Sequence, residues 1–402
     1  MELQIDRIEL LLLIAALVAM VCRRFNFPYT VGLVFTGIAL SFFPFIPTVE
    51  LTTELLFSAL LPPLIFEAAM LLPWHDLRRE MPIVIPMATV GLILAATITA
   101  VGMHYFAEWP LVAAGIFGIL IAATDPVSVI ATFKETRVTG RLRLLVEAES
   151  LFNDGTAAVL FTLLVAIARG TAPTIMGLLE DALWTVGGGI ASGGLLAFAL
   201  LYLAGKTTDH LVEITLTTVA AYGSFLLAEH FHCSGVLATL TAGLVVGNRG
   251  HLGAISEKGR EAAEVFWEFA AFISNSLIFL LIGLREAQQD FGPVWLIAII
   301  AIALVTLGRA VVIYPISWLY SRGGLRMSVA YQHIMFWGGL RGALALALAL
   351  GLPPSIPFRE PIISVAFAVV AFSVIVQGLT MTPLLRRLDL LPKPLHAGTH
   401  QK

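Results

Sequence analysis

Asp154 stands at the end of the run Glu149-Ser150-Leu151-Phe152-Asn153-Asp154, directly before the apolar stretch Gly155 to Ala168. An ionisable side chain at membrane depth is costly and persists where it has a task. A second acid lies in Thr124-Asp125-Pro126, where proline removes a backbone hydrogen bond from another apolar helix and frees polar groups at that depth. Two buried carboxylates beside a broken helix point to an ion or proton site.

On a helix, Ser150 and Asp154 are one turn apart on one face, while Glu149 and Asn153 share the adjoining face. A hard monovalent cation such as Na⁺ needs several oxygens. Asp154 and Ser150 supply two, and unwound backbone around Thr124 and Asp125 supplies more. A carboxylate in such a place holds either the cation or a proton, so the two compete. Glu147, nearer the helix end, and Glu67 would make the approach electronegative and concentrate cations. Arg341 cannot shed its proton and needs an acid at that depth, for which Glu149 is the first choice, as a structural ion pair. Arg309, also mid-span, is read as a bridge between helix bundles or a ligand for an anionic lipid head group. His333 is read as a packed or solvated histidine, and Glu213, Glu229, Glu264 and Glu268 as acids at span ends within reach of solvent.

The elements that must position these groups follow from composition. The 402 residues are 58% hydrophobic and 13% charged, against roughly 25% charged for a soluble domain, and the mean hydropathy is +0.91. This is a polytopic, all-α membrane protein. A net charge of -3 without a basic block excludes a nucleic-acid partner, and the partners expected are monovalent cations, protons and membrane lipids. Acidic Glu2 and Asp6 stand where a cleavable signal carries bases, so Ile8 to Val21 reads as a retained first span. The two cysteines, Cys22 and Cys233, fall at opposite membrane faces and are expected to be unpaired packing residues.

Gly, Pro and charged punctuation divides the chain into thirteen candidate spans, near 8–22, 29–45, 52–72, 81–106, 111–133, 146–168, 174–204, 211–229, 234–248, 261–284, 293–320, 327–350 and 361–385. Of the lysines and arginines, eighteen fall in one set of alternate loops and the tail and four on the other side. That bias puts the N-terminus outside and the C-terminus in the cytoplasm. It also places Asp125 and Asp154 at matching depth, roughly 12 Å from the cytoplasmic end. A weak internal repeat at an offset of about 213 residues relates Pro63-Leu64-Ile65-Phe66 to Ser276-Leu277-Ile278-Phe279, and Asp125 to Gly338. Spans one to six would then mirror eight to thirteen, giving a first repeat over 1–170, a connector helix over 171–206, an inverted second repeat over 207–387 and a short cytoplasmic tail over 388–402. Interrupted helices at matching places in two inverted halves are the sequence mark of a transporter's midplane site.

The segments Leu61-Pro62-Pro63-Leu64-Ile65-Phe66-Glu67, Thr124-Asp125-Pro126, Glu149 to Gly155 and Gly339-Leu340-Arg341-Gly342 together resemble the cation/proton antiporter superfamily. The match is to its sodium/proton exchanger branch, which holds the bacterial NhaP proteins and the animal NHE exchangers. The resemblance implies thirteen transmembrane helices in two inverted six-helix repeats with crossed discontinuous helices, a homodimer, and a moving core beside a static dimerisation unit. It implies pH homeostasis at the plasma membrane and transported Na⁺ and H⁺ with no cofactor. Asp154 would carry the exchanged ion with Ser150, Thr124 and Asp125 and, through water, Glu67, while Glu149 pairs with Arg341. Asn153 stands where electrogenic relatives carry a second aspartate, which suggests one-for-one exchange. An intramembrane aspartyl protease using Asp125 and Asp154 as a dyad is the alternative of a different class. A passive channel is a third, for which no filter sequence is visible.

Overall fold

The structure is a computed structural model that describes residues 2–25, 27–43, 52, 54–170, 174–249, 255–287, 289, 291–321 and 324–391. Most of the tail over 388–402, with Lys393 and Lys402, lies outside the described residues, as does Arg322.

Among the described residues the secondary structure is all helical. Backbone groups in hydrocarbon have no water to bond, so apolar runs of this length close their hydrogen bonds internally. The helices are α1 (Glu2–Phe25), α2 (Tyr29–Leu40), α3 (Leu55–Leu71), α4 (Trp74–Phe106), α5 (Leu111–Ala122), α6 (Val127–Thr136), α7 (Arg141–Ala168) and α8 (Ile175–Ala204). They continue with α9 (His210–His230), α10 (Gly235–Arg249), α11 (Glu257–Glu286), α12 (Trp295–Leu319), α13 (Val329–Trp337), α14 (Ala343–Leu350) and α15 (Arg359–Arg387). Seven of these, α4, α7, α8, α9, α11, α12 and α15, are long and apolar enough to cross a membrane by length and composition; α2, α3 and α5 are shorter apolar helices.

Both predicted interruptions are present. The α5 helix stops at Ala122, Ala123 is extended at ψ 137°, and Pro126, which has no N–H to give, sits at the start of α6. The α13 helix stops at Gly338, and Gly342 is again extended before α14 begins. The starts of α8, α9, α11 and α13 are capped by Thr174, Asp209, Ser256 and Ser328, each accepting from a backbone N–H of the first turn.

Packing sorts the helices into two groups. In one, α11 lies against α2, α3 and α9, and α10 against α3, α8 and α9; in the other, α4 lies against α5 and α12, and α15 against α12 and α14. Glu213 departs from its expectation of solvent exposure. It is 1% exposed and accepts hydrogen bonds from the N–H and Oγ of Ser256, tying the start of α9 to the start of α11. Cys22 and Cys233 are both buried and free of any disulfide.

Candidate ion-binding site

The two interruptions cross. The Asp125 N–H donates to the Leu340 carbonyl at 2.7 Å, joining one unwound segment to the other. The Asp125 carboxylate accepts from the Val127 N–H at 2.9 Å and, more weakly, from the Ala343 N–H at 3.5 Å. Its negative charge therefore lies at the N-termini of both second half-helices, α6 and α14, where the helix dipole favours an anion. At the opposite polarity, Arg341 Nη1 donates to the carbonyls of Ala122 and Ala123 at 2.5 and 3.0 Å, which are the orphan acceptors at the end of α5. The crossing thus has its half-helix ends compensated by one acid and one base.

Two glycines of the Gly338-to-Gly342 segment are fixed by close approach. A Cβ on Gly342 would collide with the Asp125 carboxylate, and one on Gly339 would meet Arg309 Nε at 2.5 Å.

Arg309 corrects one expectation. Glu149, 2% exposed, is held by Arg309 Nη1 and Nη2 at 2.7 and 2.8 Å in a bidentate pair, and Arg341 is not its partner. The reason is geometric: the carbonyls of Ala122 and Ala123 occupy Arg341, while Arg309 on α12 reaches Glu149 and also donates to the Met335 carbonyl at 2.9 Å. Sequence reading assigned the nearer motif residue and left Arg309 to lipid or to a bundle bridge.

Thr124 is the hub of the polar network. Its N–H donates to Asn153 Oδ1 at 3.1 Å, its Oγ1 accepts from Asn153 Nδ2 at 2.8 Å, and it shares a hydrogen bond with Ser150 Oγ at 3.0 Å. Asn153 Nδ2 also donates to Glu149 Oε1 at 3.2 Å. Of the predicted site residues, Asp154, Asp125, Thr124 and Glu67 line one cavity of about 530 Å³, whereas Ser150 and Asn153 stand behind Thr124 and hold it.

Among the acids that line that cavity, Asp154 is the one with a buried side-chain oxygen, Oδ1, that has no hydrogen-bond partner among the described residues. The lining carries Glu67, Asp125, Glu147, Asp154 and Glu268 against Arg23, Lys134 and Arg143, so acids exceed bases. Two of these acids are paired, Glu147 with Arg143 at 2.7 Å and Glu268 with Lys134 at 3.1 Å, which leaves Glu67, Asp125 and Asp154 against Arg23. What the arrangement offers chemically is one carboxylate, without a protein donor on Oδ1, at the end of a cavity. Such a group takes up a proton or a small cation. A protease dyad would need the two carboxyls to share a proton, and no hydrogen bond joins Asp154 Oδ1 to Asp125 among the described residues.

A crossed pair of broken helices with a buried acid beside it is the architecture of a secondary transporter. The chain belongs to the sodium/hydrogen exchanger family: the family model described as "Sodium/hydrogen exchanger, transmembrane" matches residues 10–387. It is a transporter family and not an enzyme family. The chain is 40% identical over 370 residues to the Na⁺/H⁺ antiporter ApNhaP of Aphanothece halophytica, spanning 90% of this chain and 70% of that protein. It is 34% identical over 399 residues to the Na⁺/H⁺ antiporter NhaH of Halobacillus aidingensis, spanning 96% and 98%. The fold matches the solved structure of the sodium proton antiporter MjNhaP1 from Methanocaldococcus jannaschii at pH 8, with a TM-score of 0.77 and 20% identity over 98% of this chain and all of that one.

Proposed function

We propose that this protein exchanges a monovalent cation, Na⁺ first and Li⁺ or K⁺ as alternatives, for a proton, with Asp154 as the shared site. The observation that carries the reading is the bare Asp154 Oδ1 in a cavity-lining position, beside the charges of the crossing, which have partners: Glu149 with Arg309, Asp125 with helix N-termini, Arg341 with helix carbonyls. Thr124 and Asp125 supply further oxygens around the cation, Ser150 and Asn153 hold Thr124 in place, and Glu67 acts through water across the cavity. One carboxylate neutralised by one proton or one cation gives electroneutral, one-for-one exchange.

The wider setting belongs to the same proposal. The protein works by alternating access as a homodimer in the plasma membrane, N-terminus outside and C-terminus in the cytoplasm, for pH homeostasis. Its two inverted repeats run over 1–170 and 207–387 about a connector helix at 171–206. The family similarity and the high share of apolar residues support this assignment.

Asp154→Asn tests the core of it. In proteoliposomes with an imposed Na⁺ gradient, the variant should insert and elute as the parent does yet drive no proton movement. Exchange at near-parental rates would remove Asp154 from the mechanism.

A further inference from the structure

Three buried side-chain oxygens lack a hydrogen-bond partner among the described residues: Asp154 Oδ1, Asn275 Oδ1 and Glu286 Oε1. Two of the three belong to residues that line the same cavity. Asp154 enters it from α7, which packs on α4 and α5, and Asn275 from α11, in the other group of helices. A buried amide oxygen without a partner is costly unless a ligand or water satisfies it.

The surroundings of Asn275 sharpen the point. Its backbone is held firmly: Tyr29 stacks on Phe272, with ring centroids 5.5 Å apart, and its hydroxyl bonds to Ser276 Oγ, which also donates to the Phe272 carbonyl. The neighbours on its helix that face the cavity, Ala271, Phe272 and Phe269, are apolar. Glu268, one turn or more away, is paired with Lys134. Asn275 is 8% exposed and its Oδ1 has no partner among the described residues, so that oxygen is open to an occupant of the cavity.

Resting on the exchange proposed above, we infer that Asn275 is a cation-specificity residue: its amide oxygen, from the helix group opposite Asp154, completes the oxygen shell of the cation or of its retained water. An amide suits that task. It coordinates a hard cation through a neutral oxygen, does not titrate, and so favours the cation over the proton at the shared carboxylate. The effect belongs in the apparent affinity for the cation and not in the capacity to bind a proton.

The test uses the intact protein in proteoliposomes at a fixed alkaline pH, with Na⁺, Li⁺ and K⁺ each titrated. Asn275→Leu, similar in size and without an oxygen, should raise the KM for Na⁺ about three- to tenfold, the factor expected for one lost polar contact, and leave the maximal rate within about twofold. Asn275→Asp keeps the shape and adds charge, so it should lower the KM for Na⁺ and change the order among the three cations. If Asn275→Leu fails to insert, Asn275→Asp alone decides. An unchanged KM and cation order in either inserted variant, or a lowered maximal rate with KM untouched, would overturn the inference. Asp154→Asn run alongside separates the two readings: activity there removes the exchange site itself, whereas an inactive Asp154→Asn with parental Asn275 variants removes only the role of Asn275.

Discussion

Replacing Arg309 by methionine removes both guanidinium nitrogens from Glu149 and leaves a carboxylate 2% exposed with one donor, the Asn153 amide at 3.2 Å. Breaking a buried pair from one side costs about 3–5 kcal/mol, because the remaining charge stays desolvated. Glu149→Gln should cost less, about 1–3 kcal/mol, since the Arg309 guanidinium keeps its bond to the Met335 carbonyl and the new amide still accepts. The double variant removes the orphaned charge, so its loss should fall short of the sum by about 2 kcal/mol or more. Arg341 provides the control. It bonds to the carbonyls of Ala122 and Ala123, so Arg341→Met combined with Glu149→Gln should be additive to within about 1 kcal/mol. Denaturant unfolding of the purified protein in lipid–detergent micelles gives all six free energies. A larger coupling of Glu149 to Arg341 than to Arg309 would refute the assignment of the pair.

Gly342→Ala places a methyl group where the Asp125 carboxylate lies, so it should displace Asp125 from the starts of α6 and α14 and cut exchange at least tenfold; parental activity in a folded variant would show that the Asp125 cap is dispensable. On the proposal that protons and cations compete for Asp154, the transport rate should peak at intermediate pH, and its acid limb should move to lower pH as Na⁺ is raised. A limb that stayed fixed over a hundredfold range of Na⁺ would point to a separate sensor, with His333, bonded to the Tyr314 hydroxyl at 2.8 Å, the first residue to replace. Clamping the membrane potential should leave Na⁺-driven proton flux unchanged, whereas net charge movement would feel about 2.3 kcal/mol per charge per 100 mV.

How far the sequence could be read varied with the kind of interaction. Both interruptions were visible because their causes are local: Pro126 cannot donate, and Gly338-Gly339 with Gly342 weakens a helix wherever it occurs. The partners of charges were less visible. Helical spacing put Ser150 on the face of Asp154, yet the Ser150 hydroxyl bonds to Thr124, which arrives from a segment 26 residues away in sequence. Arg309 and Arg341 offered the same charge at mid-span, and only the packing of α12 against the crossing decided which of them met Glu149. Asn275 gave no signal at all, since one asparagine in an apolar helix has neither a period nor a motif; its missing partner is a property of the fold.

The compensation of charges bears on why exchange should be coupled and not leak. Glu149 carries its counter-charge with it in Arg309, and the charges of Asp125 and Arg341 are matched by helix ends of the same crossing. None of these needs a ligand in order to change sides with the helices that bear it. Asp154 is the exception: ionised and empty, it would have to pass an apolar seal as a bare charge, and the desolvation penalty opposes that step. A bound proton removes the charge, and a bound Na⁺ neutralises it. On the proposed reading both loaded forms would cross and the empty form would be held back, so each inward passage of a bound ion would be matched by the outward passage of another. Asn153 keeps this logic intact. Its amide donates to both Thr124 and Glu149, which a carboxylate in its place could not do while ionised, so a second transportable charge is kept out of the core by the same bonds that hold Thr124 beside Asp154.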